Sequence, residues 1–262
     1  FEWQAGLWQR VLDSAGRMPH ALLFAGPAGG GKRHFAEALA ARVLCARPGA
    51  DGHACGVCED CLWRIAGNHP DLLRVIPEAD REPRDDAPEK PEGGKAASRQ
   101  IVIEQIRDLQ QALTTGGHRG SQRVAIVDPA EAMNLYTANA LLKLLEEPTT
   151  NVQFILVSSS PKRLLPTIRS RCQTWAFPRP AGELAARWLL ERKTPDAVSL
   201  LAFSGGMPLA AAALAEGGGA AGRIGPRGGV VAARSCGDCH GPRGPRQDLV
   251  AGLHSPCQSG LG

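Results

Sequence analysis

Hydrophobic and polar positions form two patterns along the chain, short continuous apolar runs and longer stretches with helical spacing. The continuous runs predict strands that are buried on both faces, because such strands present apolar side chains at every position. The predicted strands cover residues 21–25, 72–76, 124–128, 154–157 and 174–177. Apolar residues between them recur at intervals of three and four, which indicates amphipathic helices. Strands that alternate with helices predict an α/β fold with a parallel sheet covered on both faces.

The strongest helical periodicity lies in residues 101–113 and 131–146. In the first segment, spacings of four, three and four residues separate the apolar positions Val102, Ile106, Leu109 and Leu113. The second segment is predicted to bury a stripe made of Leu135, Ala138, Leu142 and Leu145. We expect that helix to stop before Pro148, because proline cannot continue a helix.

Composition divides the chain into three regions. Residues 1–178 contain all the predicted strands, and within them residues 77–99 are charged, rich in Pro and Gly, and predicted to be a mobile surface loop. Residues 179–216 contain three short helical stretches and are predicted to form a small helical domain. In residues 217–262 glycine is frequent and large aliphatic residues are sparse, so we expect a disordered or non-native tail.

Charge and hydropathy exclude some classes of protein. The 262 residues include 30 basic and 26 acidic side chains, and the net charge of +4 is too small to indicate nucleic-acid binding by itself. No apolar run approaches the roughly 18 residues that a membrane span needs. The first residues, Phe1-Glu2-Trp3, do not resemble a signal peptide. We therefore expect a cytoplasmic protein that does not associate with membranes.

A glycine-rich loop, GPAGGGK at residues 26–32, joins the first predicted strand to the following helix. Strand, glycine loop, lysine and helix form the arrangement that binds phosphates, because loop N–H groups and the helix N-terminus face the anion. The candidate binding residues are Gly26, Gly29, Gly31 and Lys32. The next position normally carries a Ser or Thr whose hydroxyl binds Mg²⁺, and here it carries Arg33.

Two further candidates follow predicted strands. Asp128 ends the third strand, where a carboxylate would hold Mg²⁺, and Ser158 follows the fourth. Ligands of parallel sheets bind at the carboxyl ends of strands, so Gly26, Asp128 and Ser158 should lie at one edge. The acidic residue that would activate water is replaced by Pro129. Together with Arg33, this change argues against hydrolysis, while nucleotide binding without hydrolysis stays open.

Four cysteines, Cys45, Cys55, Cys58 and Cys61, fall within 17 residues at the spacing C-x9-C-x2-C-x2-C. Tight C-x2-C turns direct sulfur atoms at one point, and four thiolates close a tetrahedral Zn²⁺ site. Because no coordination position would be left open, the pattern predicts a structural rather than a catalytic zinc. The alternatives are four free thiols, or His53 in place of one cysteine.

Five segments together resemble a known family: GPAGGGK, CGVCEDC, NALLKLLEEP, FILVSSSP and IRSRC, the last at residues 168–172. On these motifs, residues 21–172 resemble bacterial clamp-loader ATPase subunits of the AAA+ class. The resemblance implies a P-loop AAA+ domain with a zinc-module insertion at about residues 45–67, followed by a small helical lid at 179–216. Such subunits continue into a helical collar domain, and we expect no collar domain in this sequence.

The resemblance also implies roles for single residues. Arg171 would be a trans-acting arginine finger in the ATP site of a neighbouring subunit, and Ser158 aligns with a threonine that senses the γ-phosphate. From the residues alone, a structural ion pair is the alternative for Arg171. The degenerate P-loop is similar to that of the non-hydrolysing subunit of the DNA polymerase III loader, a rigid stator without polymerase activity.

The partners implied are gamma/tau and delta subunits in a hetero-oligomer, the sliding clamp, and primed DNA contacted through the complex. ATP and Mg²⁺ would bind at the neighbouring subunit. One alternative is a catalytically active loader ATPase of the gamma/tau type. The other is a zinc-dependent DNA-binding protein that is unrelated to the loader, for which salt-sensitive DNA binding without partners would be characteristic.

Overall fold

The computed structural model describes residues 1–14, 17–81, 97–114, 122–148 and 150–217. Within these ranges five strands form one sheet, in the order β2-β3-β4-β1-β5. The strands are β1 (Ala21–Ala25), β2 (Leu72–Val75), β3 (Arg123–Val127), β4 (Val152–Ser158) and β5 (Gln173–Ala176). All neighbouring strands run parallel, which confirms the predicted α/β fold.

The strands β1, β3 and β4 occupy the centre of the sheet and are buried at every position. Their side chains alternate between two cores, as a strand requires. Leu23 and Phe154 belong to one core, whereas Leu22 and Ile155 belong to the other. The edge strand β5 is buried only at Trp175, so its pattern is weaker.

Helices cover both faces of the sheet. The helices of this region are α1 (Ala5–Asp13), α2 (Lys32–Leu44), α3 (Glu59–Ile65), α4 (Ile103–Thr114), α5 (Leu135–Glu146) and α6 (Pro166–Arg171). Of these, α3 packs in the cysteine cluster through Cys61 and contributes to neither core. Residues of α1 and α2 pack in one core, and residues of α4, α5 and α6 pack in the other. The sheet is therefore the middle layer of three.

Helix α5 differs from its prediction in where it begins and in the stripe that it buries. It starts at Leu135 rather than at residue 131, because the Asn134 side chain accepts a hydrogen bond from the Thr137 N–H at 2.9 Å. Leu135 is 59% exposed, so its place in the predicted buried stripe was wrong. Leu141 is fully buried instead. Ala138 and Leu145 are buried as expected.

Replacing Asn134 by alanine should lower the free energy of unfolding by about 1 kcal/mol, the usual effect of losing an N-cap side chain. Urea denaturation followed by circular dichroism measures the change. Asn139→Ala is the matched control, because Asn139 is an exposed asparagine inside the same helix. Equal losses in both variants would show that the cap contributes nothing.

Three further helices follow the sheet: α7 (Gly182–Glu191), α8 (Ala197–Phe203) and α9 (Pro208–Ala215). They share a small core of their own that includes Leu189 and Leu201. They occupy the position of the predicted lid, and we call them the lid helices. Of the other predicted regions, residues 82–96 of the surface loop and 218–262 of the tail lie outside the described residues.

In the described ranges no single helix is long and apolar enough to cross a membrane. Helices α8 and α9 meet the criteria of length and composition only when they are taken together, and the pair is bent by 117°.

Candidate functional site

The carboxyl ends of β3, β4 and β1 bring three predicted site residues to one edge of the sheet. Ser158 ends β4, Asp128 follows β3, and Gly26 follows β1. The Gly26 N–H donates to the Ser158 carbonyl oxygen at 3.3 Å, and the Asp128 N–H donates to the Val75 carbonyl oxygen at 3.0 Å. The juxtaposition expected from the sequence is therefore present.

Two glycines of the loop have a left-handed backbone conformation. Gly29 and Gly31 have φ angles of +79° and +92°, in the left-handed region that side chains disfavour. Gly31 directly precedes α2, which begins at Lys32. The N-terminus of a helix that follows a glycine turn favours anions, because its free N–H groups and its dipole point outward.

Lys32 is engaged by its own loop. Its Nζ donates to the carbonyl oxygens of Gly26 at 2.8 Å and Pro27 at 2.7 Å, and lies 3.2 Å from the Ser159 Oγ. Burial lowers the pKa of this amine below its usual range, while nearby Glu131 and Asp128 oppose that shift. A phosphate would have to compete with these carbonyl groups for the ammonium.

Arg33 pairs with the carboxylate that would hold Mg²⁺. Its Nε donates to Oδ2 of Asp128, which is only 6% exposed. Burial raises the pKa of Asp128, and the charge and hydrogen bond of Arg33 act in the opposite direction. The residue that replaces the usual Ser or Thr therefore also neutralises the second magnesium ligand.

Glu131 is a site residue whose contact the sequence did not reveal. It lies in a 3₁₀ turn at Ala130–Ala132, and its Oε1 accepts a hydrogen bond from the Ser159 N–H at 2.9 Å. It is also the carboxylate with the largest effect on the pKa of Lys32. The sequence shows only that an acidic residue lies three positions after Asp128. The direction of the Glu131 side chain depends on the 3₁₀ turn that follows Pro129.

The N-terminal segment and the lid helices contact the loop from outside. Trp3 Nε1 and Gln4 Nε2 both donate to the Gly30 carbonyl oxygen at 3.0 Å. The Leu209 N–H, in α9, donates to the Gly29 carbonyl oxygen at 3.1 Å. The rings of Trp3 and Trp188 meet edge to face with centroids 5.8 Å apart. These contacts connect the glycine loop to the lid.

Arg171, the predicted finger, ends the short helix α6. Its Nη2 lies 2.5 Å from Oε1 of Glu146 at the end of α5, and its Nη1 donates to the Thr167 carbonyl oxygen at 3.4 Å. The side chain is 38% exposed. Its described contacts are therefore with α5 and α6, and the side chain is partly exposed at the surface.

The four predicted zinc ligands come together. The Sγ atoms of Cys45, Cys55, Cys58 and Cys61 all lie within 4.8 Å of one another. Cys45 and Cys58 are 3.8 Å apart, and Cys55 and Cys61 are 4.0 Å apart. A tetrahedral zinc with bonds of about 2.3 Å places its sulfur ligands about 3.8 Å apart. The cluster therefore fits a four-thiolate metal site.

Backbone groups around the cluster stabilise negative charge on sulfur. The N–H groups of Val57 and Cys58 lower the pKa of Cys55 to about 6, and the Cys58 N–H lies 3.3 Å from that sulfur. Burial instead raises the pKa of Cys61 to about 12, so a metal ion would have to displace its proton. The alternative ligand His53 stacks on Trp8 with ring centroids 4.3 Å apart, outside the cluster.

The arrangement matches a known family. A family model described as DNA polymerase III, delta subunit, matches residues 5–181, which include the sheet, the cysteine cluster and Arg171. The chain belongs to the DNA polymerase III delta subunit family. This assignment confirms the family to which the sequence motifs pointed.

Relatives within the DNA polymerase III delta subunit family carry the name DNA polymerase III subunit delta'. The protein from Pseudomonas aeruginosa is 42% identical over 216 residues, which are 80% of this chain and 60% of that protein. The protein from Escherichia coli is 34% identical over 223 residues, 83% of this chain and 61% of that protein. The chain thus spans about three fifths of the length of these relatives.

A solved structure has the same fold. The DNA polymerase III gamma subunit-related protein from Thermotoga maritima superposes with a TM-score of 0.52 at 22% identity, over 81% of this chain and 57% of that one. This likeness shows the fold alone. The cysteine cluster fits the zinc module expected within that fold.

Proposed function

We propose that this chain is a clamp-loader subunit of the delta' type, which does not hydrolyse ATP itself and completes the ATP site of a neighbouring subunit. The name of its relatives, DNA polymerase III subunit delta', supports a role as one subunit of a larger complex. The observation that carries the non-hydrolysing role is the ion pair between Arg33 and Asp128.

Hydrolysis in P-loop enzymes depends on Mg²⁺ held by a loop hydroxyl and a strand-end carboxylate, with a lysine on the phosphates. In this chain the hydroxyl is replaced by Arg33, which occupies the carboxylate of Asp128. The ammonium of Lys32 lies on the carbonyl groups of its own loop. The two cations and the carboxylates of Asp128 and Glu131 therefore compensate one another within the site.

Arg171 supports the second half of the proposal. A guanidinium can stabilise charge on a transferring phosphoryl group only if it projects beyond its own subunit. Arg171 ends a surface helix and is more than one third exposed. It is thus available to a neighbour whose own loop binds ATP and Mg²⁺.

The proposed partners are gamma/tau and delta subunits, with the sliding clamp and primed DNA reached through the complex. This role places the protein in the bacterial cytoplasm. The four cysteines would hold a structural Zn²⁺, which supplies no reaction step and joins the end of α2 to α3. Ser158, buried at the end of β4, would be a structural remnant of the phosphate sensor.

The isolated chain should release no phosphate from Mg-ATP beyond the amount released by a Lys32→Ala variant, because its magnesium carboxylate is already paired. A coupled phosphate assay with purified protein measures this. Turnover that disappears in the Lys32→Ala variant would instead assign the chain to the hydrolysing gamma/tau type.

The same purified protein can be used to test the other alternative, a zinc-dependent DNA-binding protein unrelated to the loader. Fluorescence anisotropy with labelled primed DNA, at several salt concentrations, measures binding by the chain alone. Strong and salt-sensitive binding without loader partners would favour a zinc-dependent DNA-binding protein. The proposal expects such binding only after the other subunits are added.

A further inference from the structure

We propose that Glu146 is a positioning residue for Arg171, an inference that rests on the proposed trans role of that arginine. The carboxylate holds the guanidinium at the end of α6 in the orientation from which it enters the neighbouring site. Glu146 itself does not touch the nucleotide, and it acts through the arginine.

Two contacts fix the arginine head group. Glu146 Oε1 lies 2.5 Å from Nη2, and the Thr167 carbonyl oxygen accepts from Nη1 at 3.4 Å. A flexible arginine side chain loses rotamer freedom when it docks, and a prior contact reduces that loss. The side chains of Arg171 and Glu146 remain 38% and 41% exposed, so the ordered pair is still partly open to solvent.

The position of Glu146 indicates that it does not stabilise its own helix. It is the last residue of α5, where the partial negative charge of the helix end repels a carboxylate. Lys143, in the same turn, has the sign that favours a helix C-terminus. A glutamate at the end is therefore disfavoured by its own helix, and the Arg171 guanidinium offsets this cost.

The ion pair between Arg171 and Glu146 is also weak enough for the guanidinium to leave it and bind another anion. Ion pairs between exposed side chains contribute little net free energy, because water solvates both partners and the side chains lose freedom. A triphosphate carries more negative charge than one carboxylate, so it can draw the guanidinium away from Glu146. The carboxylate thus orders the arginine before docking without retaining it afterwards.

The test compares Glu146→Gln with Glu147→Gln, an exposed neighbour of the same charge, in the reconstituted loader. Assembly is first checked by gel filtration. We expect Glu146→Gln to lower kcat about two- to fivefold, the size that an exposed ion pair supports, with the KM for ATP unchanged. Glu147→Gln should leave kcat at the wild-type value. In an Arg171→Ala background, Glu146→Gln should have no further effect.

Three results would overturn the inference: an unchanged kcat in Glu146→Gln, a raised kcat, or an equal loss in the Arg171→Ala background. An equal loss would show that Glu146 acts independently of the arginine. If Arg171→Ala itself leaves turnover unchanged in the assembled loader, the trans role fails and the positioning role fails with it. A low rate in Arg171→Ala with a normal rate in Glu146→Gln removes only the positioning role.

Discussion

Replacing Arg171 by alanine should lower ATP turnover at the neighbouring site of the reconstituted loader by about 10³-fold or more, the range found when an arginine finger is removed. The reason is that the guanidinium stabilises charge that develops on the phosphoryl group only in the transition state. Single-turnover phosphate release from the assembled complex measures the rate of that site.

Arg169→Ala is the matched control, because Arg169 is an exposed arginine on the same short helix. Arg171→Lys keeps the charge and removes the planar fork, so its rate should lie between those of alanine and wild type. If Arg171 is only a structural ion pair, alanine should cost at most about 1 kcal/mol of stability and leave turnover unchanged. That result would contradict the trans role.

Loss of the metal should have the second large effect. Structural zinc contributes roughly 10–16 kcal/mol of apparent binding free energy in small domains, so residues 45–67 should lose their fold when zinc is removed. We expect Cys55→Ser to hold one zinc fewer per chain than wild type, as measured by mass spectrometry of the metal content. Limited proteolysis should then cut within this segment.

Cys172→Ser is the control for zinc loss. Cys172 is buried at the end of α6, and among the described residues it does not belong to the group of side chains that could hold a metal ion together. This variant should keep the zinc content of wild type. Equal zinc contents in wild type and Cys55→Ser would contradict a metal site at the cluster and favour four free thiols.

The sequence was sufficient for the elements whose pattern is local. The strands β1, β3 and β4 are continuous apolar runs that both cores require. The cysteine cluster could be predicted because its C-x2-C spacings constrain the sulfurs within one turn. Helix α5 was harder, since leucine or alanine occupies many of its positions and several stripes fit. The Asn134 cap sets where the helix begins, and packing against α4 and α6 determines which stripe is buried.

The ion pairs that determine the charge distribution of the site join residues far apart in the sequence, and they could not be predicted. Arg33 and Asp128 are 95 positions apart, and the sequence showed two changes without showing that they pair. Glu146 and Arg171 come from two motifs on different helices, brought together only by the packing of α5 against α6. A pattern within one segment carries no information about such distances.

The glycines of the loop allow close packing against neighbouring residues, and this role does not depend on nucleotide binding. A Cβ atom at Gly29 would lie 2.7 Å from the Cβ of Ala210 in the lid, and one at Gly31 would lie 2.7 Å from the Gln4 Nε2. A larger residue at either position would therefore force the loop away from Ala210 or Gln4, even in a protein that does not bind ATP. Selection for this close approach can preserve the glycines of an ATP-binding signature whether or not the chain hydrolyses ATP. The glycine signature alone therefore does not establish that a chain is an ATPase.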